Sequence, residues 1–223
     1  MTAADTSART PGGRPLTPLL VDLSGWRALV VGGGPIGARR AATLVEDGAD
    51  VHVVSPEIED SIDELSRSGL LTVSSRTFEA SDVTGAGLVV AATGLWGVDQ
   101  HVREASAHAG VLCNVAADVE ACSVVFPSRV QRGPLSIAIS TGGASPALSA
   151  RARDLIENAI GPEWGELAGL LESSRERLRS SFPDASARRA VVDRLLDAGV
   201  LELLARGERD GATRLIDEAL GAS

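Results

Sequence analysis

Three glycines, Gly32, Gly34 and Gly37, stand directly after an apolar run with the spacing G-x-G-x-x-G. In this spacing one glycine permits a tight turn, the next lets backbone amides approach a pair of phosphates, and the last allows close packing of a helix against a strand. The N-terminus of the following helix offers unpaired N–H groups and the positive end of its dipole to that anion. The motif predicts a dinucleotide site, and the glycine spacing alone leaves a plain strand-to-helix turn as the alternative.

The flanking segments supply the strand–helix–strand unit that such a site needs. The apolar run 28–31 predicts a buried strand, residues 38–47 a helix, and 51–54 a second strand. Further strands are predicted at 71–73, 88–92 and 111–115, with helices at 58–69 and 98–109. Strands that alternate with helices form a parallel sheet, and its ligands bind at the carboxyl ends of the strands. Thr93 follows the central strand and therefore falls at this edge.

The end of the second strand favours NAD over NADP. A dinucleotide fold usually places Asp or Glu there to bind the ribose 2′-hydroxyl, whereas a nearby Arg accommodates a 2′-phosphate. Here Ser55-Pro56-Glu57 occupies the position, with Glu57 about two residues late, and no arginine follows closely.

Outside this unit the pattern changes. Residues 19–23 suggest an edge strand before the sheet, and 123–127 and 135–140 suggest two strands of a hairpin joined by 129–134. A second glycine-rich loop, Thr141-Gly142-Gly143-Ala144-Ser145-Pro146, opens a predicted helix over 147–160. Residues 163–220 are predicted to be helical, with leucine stripes at core spacing.

Composition excludes several classes of protein. The net charge of −9 argues against a nucleic-acid partner, and no apolar run approaches the roughly 20 residues of a membrane helix. Residues 1–17 are predicted to be a flexible leader without an export signal, which implies a cytoplasmic protein. Cys113 and Cys122 lack metal-site spacing and are interpreted as buried thiols. His52, His101 and His108 are interpreted as a strand residue and two helix-surface residues, so no metal ligand is assigned.

Separated motifs together resemble one family. They are Leu29-Val30-Val31-Gly32-Gly33-Gly34, Val53-Val54-Ser55-Pro56-Glu57, Val90-Ala91-Ala92-Thr93, Cys113-Asn114-Val115 and Ser140-Thr141-Gly142-Gly143-Ala144-Ser145-Pro146-Ala147-Leu148. Over about residues 18–204 the chain resembles the precorrin-2 dehydrogenase family, the dehydrogenase and ferrochelatase module of siroheme synthase. The loop Thr141–Pro146 is far more specific to it than the glycine turn. Because the chain ends soon after, we expect it to lack the methyltransferase that some members carry fused.

The resemblance implies a fold, a reaction and a partner. The α/β fold would comprise a Rossmann-type parallel sheet domain over 18–114, a small α+β dimerisation domain over 115–148, and a helical C-terminal domain over 149–223. The reaction would be NAD-dependent oxidation of precorrin-2 to sirohydrochlorin, with iron insertion in bifunctional members. Two chains would interlock as a homodimer.

The resemblance also assigns roles to residues of this chain. Gly32, Gly34, Pro35 and Ile36, with Gly37 packing behind them, would approach the pyrophosphate, and Pro56 and Glu57 the adenosine. Thr93 and Asn114 would border the nicotinamide and the substrate, while Thr141, Gly142 and Ser145 would line the tetrapyrrole end. Some members carry a phosphorylatable serine at the position of Thr141, and this hydroxyl leaves such modification open.

One departure concerns the catalytic carboxylate. The family usually reads N-V-x-D, but Ala117 occupies the aspartate position and Asp118 follows one residue later. In a strand that shift reverses the side-chain direction, whereas in a loop it need not. Asp118 is therefore a candidate general base, a role that contributes roughly 10²–10⁴-fold, or a loop carboxylate that caps a turn. Glu120 is a further candidate.

Two questions stay open from the sequence. Iron insertion requires removal of the pyrrole N–H protons, so ferrochelatase activity depends on a base that Ala117 does not supply. Arg129 and Arg132 could attract substrate carboxylates or lie exposed in the hairpin.

The alternative function is a non-catalytic dinucleotide-binding redox sensor or a degenerate family member. A sensor has no need for a second glycine-rich loop facing the cleft, so the segment Ser140–Pro146 favours the dehydrogenase over the sensor.

Overall fold

A computed structural model describes residues 16–221. The chain forms two compact units, and the boundary between them in the sequence falls between Phe126 and Pro127. The predicted flexible leader concerns residues 1–17, of which 1–15 lie outside the described residues. Because the first unit continues to Phe126, residues 115–126 belong with the parallel sheet, and the predicted dimerisation segment 115–148 spans the division. The functional limits of that segment stay a prediction.

The first unit is a five-stranded parallel sheet with helices on both faces, as predicted. Its strands are β1 (Arg27–Gly33), β2 (Asp50–Ile58), β3 (Leu71–Ser74), β4 (Leu88–Ala91) and β5 (Leu112–Val115), in the spatial order β3-β2-β1-β4-β5. The helices are α1 (Pro35–Glu46), α2 (Asp60–Arg67) and α3 (Trp96–Ala109), with a 3-10 turn at Ala80–Val83. The order reverses between β1 and β4, and ligands of open α/β sheets bind at such a switch point.

The core of this unit explains why the apolar runs form strands. Residues Ala28 to Val31 of β1 are almost fully buried because both faces of the sheet are covered. Ala41 and Leu44 of α1 pack on one face, and Val102 of α3 packs on the other. The central strands are thereby held rigidly, and their carboxyl ends lie side by side.

Three local predictions are wrong. Residues 19–23 form no strand, and the side chains of Leu19 and Leu20 are 76% and 80% exposed, because no neighbouring strand pairs with them. α1 begins at Pro35 rather than at residue 38, since proline is favoured in the first turn of a helix. The segment 123–127 is not a strand either: it packs Val124 and Phe126 onto the core beside α1.

The second unit consists of a hairpin and six helices within residues 127–221. Strands β6 (Ser128–Arg132) and β7 (Leu135–Ile139) pair antiparallel, so the predicted hairpin forms, with its first strand later than expected. The helices are α4 (Pro146–Ala159), α5 (Pro162–Ser173), α6 (Arg175–Ser181), α7 (Ala185–Asp197), α8 (Val200–Ala205) and α9 (Arg209–Ala219). Leu167, Leu170, Val191, Leu195 and Leu204 are buried together, as the leucine stripes predicted.

Among residues 16–221, no helix is both long enough and apolar enough to cross a bilayer.

Candidate functional site

A cavity of about 480 Å³ opens at the carboxyl edge of the sheet, over the switch point between β1 and β4. Its volume falls in the ~300–1,000 Å³ range of small-molecule sites. The predicted cofactor residues that line it are Gly32, Gly34, Pro35, Ile36, Pro56, Glu57 and Thr93. Three segments far apart in the sequence therefore meet around one space.

The four glycines of the turn have different surroundings. Gly32 has a φ of 114°, and a Cβ there would overlap with the carbonyl group of Ala92. A Cβ on Gly33 would overlap with the carbonyl oxygen of Glu57. Gly34 alone faces open space, with no atom within 4 Å of a Cβ placed on it. Since Gly34 caps the N-terminus of α1, backbone and unpaired helix amides are both accessible to an anion there.

Gly37 is the one predicted cofactor residue that does not line the cavity. It is buried, and a Cβ on it would overlap with the carbonyl oxygen of Gly32. Its role is therefore the close approach of α1 to β1, which holds the helix N-terminus at the cavity.

A bulge in β2 explains the late position of Glu57. Val31 of β1 pairs with Val54, but Gly33, two residues on, pairs with Ile58, four residues on. The extra residues project Pro56 and Glu57 to the cavity wall, and the buried hydroxyl of Ser55 donates to the carbonyl of Glu57 at 2.6 Å. Glu57 thus lines the cavity despite its late position in the sequence, and its predicted contact with the ribose of a dinucleotide stays a prediction.

Thr93 is held by a buried carboxylate that sequence reasoning missed. Asp99, in the first turn of α3, is 3% exposed, and its Oδ1 accepts from the Thr93 hydroxyl at 2.7 Å and the Thr93 amide at 3.1 Å. The Thr93 hydroxyl in turn accepts from the amide of Leu95 at 3.1 Å. We call these three residues the Thr93 clamp. A carboxylate in the helix turn directly after a cavity-lining strand end is the signal that could have identified it.

Two aromatic side chains form a further wall of the cavity. Phe78 and His101 line it with their rings edge to face, 5.4 Å apart at 81°. The segment before Phe78 is anchored by Arg76, whose two Nη atoms donate to Asp82 at 2.9 and 2.6 Å. This guanidinium, together with the amide of Glu79, holds the pKa of Asp82 below its usual range. Sequence reasoning placed His101 on a helix surface and missed Phe78.

His52 lies within the sheet, as predicted. Its Nδ1 lies 2.7 Å from the hydroxyl of Thr72 and its Nε2 lies 3.1 Å from that of Ser74, both on the neighbouring strand β3. Burial, and secondly the positive charge of Arg27, lower the pKa of His52. The side chain is therefore a polar link between β2 and β3.

The two residues predicted at the substrate end of β5 are committed to local structure. Asn114 is buried, its Nδ2 donates to the carbonyl of Val124 at 3.0 Å, and its Oδ1 has no hydrogen-bond partner among the described residues. The Oδ1 of Asp118 accepts from the amides of Glu120 at 3.0 Å and Ala121 at 3.2 Å. Neither residue lines the cavity, and the geometry of Asp118 is that of a turn cap.

Thr141, Gly142 and Ser145 lie together in the loop before α4. The Thr141 hydroxyl accepts from the Ser145 amide at 3.1 Å and lies 3.2 Å from the hydroxyl of Ser149. The Ser145 hydroxyl caps α4 by accepting from the amide of Leu148 at 3.2 Å, and Gly142 has a φ of 62°. The network defines the shape of the loop, and its role toward substrate stays a prediction.

The arginines predicted to attract carboxylates lie in the hairpin. Arg132 instead donates to the carbonyl of Ile160 at 3.1 Å and that of Glu157 at 3.4 Å, so its guanidinium joins β6 to the end of α4.

Both cysteines, Cys113 and Cys122, are buried as predicted, and burial raises the pKa of Cys113.

Three family profiles match consecutive parts of the chain. Residues 19–128 match the family described as "Putative NAD(P)-binding", 132–159 the family described as "Sirohaem biosynthesis protein central", and 163–220 the family described as "Sirohaem synthase dimerisation region". The first match is to a nucleotide-binding domain, and the other two are to modules of sirohaem biosynthesis proteins. Their order along the chain agrees with the motifs found in the sequence.

Curated relatives and a solved structure agree with these profiles. The siroheme synthase of Methylococcus capsulatus is 36% identical over 206 residues, which cover 92% of this chain and 44% of the relative. That of Pseudomonas putida strain W619 is 38% identical over 202 residues, covering 89% and 43%. The chain thus spans less than half the length of these relatives. A solved structure named SirC, precorrin-2 dehydrogenase, is 25% identical with a TM-score of 0.72, covering 91% of this chain and 100% of that one.

Proposed function

This chain belongs to the precorrin-2 dehydrogenase family, the module of siroheme synthase, and on that premise we propose that it oxidises precorrin-2 to sirohydrochlorin with NAD. The observation that carries the proposal is the cavity at the switch point of the sheet, where the glycine turn, the β2 bulge and the Thr93 clamp meet. Fold alone does not imply function, but this site has the parts that a dinucleotide needs.

The proposed cofactor is NAD, and the residues of the cavity fit it. Gly34 and the N-terminus of α1 leave room and donors for a pyrophosphate, and Glu57 places an acceptor for ribose hydroxyls. No arginine lies among the described residues that line the cavity, and the carboxylate of Glu57 would repel a 2′-phosphate. These features favour NAD over NADP.

In this proposal the residues of the chain orient the reactants and assist proton loss. Bound NAD supplies the hydride acceptor for the oxidation. The Thr93 clamp fixes the loop at the end of β4, and Phe78 and His101 supply an aromatic wall of the cavity. Oxidation of precorrin-2 also releases one proton, which solvent or a carboxylate must accept. Asp118 stays the proposed carboxylate, although both of its observed hydrogen bonds serve the turn.

We further propose that the protein is a cytoplasmic homodimer with a tetrapyrrole substrate. The match of 163–220 to a dimerisation region supports the dimer. The loop from Thr141 to Pro146 is proposed to contact the tetrapyrrole. Iron insertion is measured separately from the oxidation, because it requires a base that removes the pyrrole N–H protons.

An anaerobic assay with enzymatically generated precorrin-2 and NAD tests the oxidation through the absorbance of the macrocycle. Turnover that depends on NAD supports the proposal, and Fe(II) added after oxidation shows whether insertion exceeds the rate without protein. The second candidate is a non-catalytic dinucleotide-binding sensor, which the capping geometry of Asp118 favours. Measurable NAD binding without turnover would establish that candidate and overturn the dehydrogenase.

A further inference from the structure

Two adjacent arginines on α1 differ from the other arginines of the first unit. Within the described residues, the side chains of Arg39 and Arg40 have no carboxylate partner and no hydrogen-bond acceptor. The other arginines between residues 16 and 126 all have acceptors: Arg27 the carbonyl of Thr84, Arg67 the carboxylate of Asp63, Arg76 that of Asp82, and Arg103 the side chains of Gln100 and Glu104. In a chain with 30 acidic and 21 basic residues, two neighbouring cations without an anion are unexpected.

Arg40 is held in a fixed orientation, unlike the exposed Arg39. Its guanidinium carbon lies 4.4 Å from the centroid of the Phe126 ring, which is the geometry of a cation–π contact. Its Nε is buried and unpaired, whereas its Nη atoms remain accessible to solvent. Burial, and secondly the positive charge of Arg39, lower the pKa of Arg40. Within the described residues, this half-buried charge is therefore compensated by the face of one aromatic ring and by no carboxylate.

Arg40 lies on the helix whose N-terminal residues line the cofactor cavity. Arg40 follows Ile36 by one helical turn on the same face of α1, and Ile36 lines the cavity. The ring of Phe126 packs against the core cluster that contains Ala92, which also lines the cavity. A ligand that extends from Ile36 along α1 reaches the turn that carries Arg39 and Arg40, and of these two Arg40 is the one held on an aromatic ring.

We propose that Arg40 binds a carboxylate of the tetrapyrrole substrate, with Phe126 holding the guanidinium plane in position. The inference rests on the proposed function, since it takes the substrate class from there. A guanidinium presents parallel N–H donors that match a carboxylate, and stacking on a ring reduces the freedom lost on binding. Precorrin-2 carries several peripheral carboxylates, so one of them can pair with Arg40 while the macrocycle lies against the cofactor.

The test compares three variants in equilibrium titrations with sirohydrochlorin and in initial-rate assays with precorrin-2. Arg40→Met keeps the apolar packing on Phe126 and removes the charge, Arg40→Lys keeps the charge without the paired donors, and Arg67→Met removes an equal charge from α2 as the control. The dissociation constant for sirohydrochlorin and the KM for precorrin-2 should rise roughly ten- to one-hundredfold in Arg40→Met and less in Arg40→Lys. The kcat at saturation and the NAD affinity should stay within about twofold of wild type.

Each result decides the inference separately from the proposed function. Sirohydrochlorin affinity and KM unchanged in Arg40→Met, with the protein folded, would overturn the role of Arg40 even if the wild type oxidises precorrin-2. A wild type that binds sirohydrochlorin but shows no turnover overturns the dehydrogenase, while the Met variant still decides the carboxylate contact. If Arg40→Met instead weakens the dimer in sedimentation equilibrium and leaves tetrapyrrole affinity unchanged, Arg40 serves a contact between chains and the inference fails.

Discussion

Removal of the Asp99 carboxylate should both destabilise the first unit and weaken NAD binding. Asp99 is almost fully buried, and its Oδ1 accepts both hydrogen bonds from Thr93. In Asp99→Ala the Thr93 amide and hydroxyl lose these acceptors, and the loop that lines the cavity is no longer tied to α3. In Asp99→Asn the amide oxygen can accept both bonds, so only the contribution of the charge is lost.

The structure sets the expected magnitudes. A hydrogen bond to a charged group contributes roughly 1.5–3 kcal/mol, and relief from burying a carboxylate offsets part of two such bonds. We therefore expect Asp99→Ala to lower the free energy of unfolding by about 2–4 kcal/mol and Asp99→Asn by about 1 kcal/mol. In a chain of this length the Ala variant should lose about 4–15 °C of thermal midpoint. Ordering a freed loop on binding should weaken NAD affinity by roughly two- to tenfold.

Thermal unfolding with and without NAD, and calorimetric titration of NAD, measure these effects. Thr93→Val removes the hydroxyl from the other side, and the double variant with Asp99→Asn should show a coupling energy of about 1 kcal/mol. Glu104→Gln is the matched control, because this exposed carboxylate on the same helix pairs with Arg103 at the surface. Its substitution should change stability by less than about 0.5 kcal/mol. If both Asp99 variants unfold like the control and bind NAD like wild type, the Thr93 clamp contributes nothing and the reasoning is refuted.

Three further predictions concern the glycine turn, the turn after β5 and the sheet. Gly34→Asp should abolish NAD binding in calorimetry without unfolding the protein, because the new Cβ enters open space and the new carboxylate occupies the pyrophosphate position. Gly32→Ala should instead unfold the protein, since its Cβ would overlap with the carbonyl group of Ala92. Unaltered NAD affinity in Gly34→Asp would contradict the proposed site. Asp118→Asn should keep the cap and lower the rate of precorrin-2 oxidation at least about tenfold, because it removes the proposed base, and Asp118→Ala should in addition lose about 1 kcal/mol of stability; an unaltered rate in the Asn variant would return the role of base to solvent or another group. The pKa of His52 is lower in the folded chain, so the unfolded chain binds a proton more readily. The free energy of unfolding should therefore be fully retained above about pH 6.5 and should fall as the pH drops through the lower folded pKa. A pH profile of stability that is unchanged in His52→Gln would exclude His52 as the cause.

Local patterns were sufficient to predict the parallel sheet and most of the cavity wall. The apolar runs of β1 and β4 are buried on both faces, so their sequence carries the strand signal without help from neighbours. Residues that follow such strands fall at the carboxyl edge by topology alone. For this reason Gly34, Pro56 and Thr93 could be placed together before any contact between them was known.

Features that depend on register or on packing between elements could not be predicted. Glu57 is among the predicted cofactor residues, but the bulge that brings it to the cavity arises in the pairing of β1 with β2, which neither strand encodes alone. Two contacts depend on how α3 packs against the sheet: that of Asp99 with Thr93 and that of His101 with Phe78. The apolar segment at Leu19 resembles a strand, but a strand forms only where a neighbour accepts its backbone hydrogen bonds.

The glycine turn shows why its motif is a weak indicator of a ligand by itself. Gly32, Gly33 and Gly37 are each required by backbone atoms of this chain, since a Cβ at any of them would overlap with a carbonyl group. Any strand-to-helix turn packed this closely needs those glycines, whether or not a cofactor binds. Gly34 is different because nothing in the protein occupies the space beside it. The information about a ligand therefore resides in Gly34, the one glycine of the turn that the fold itself does not need.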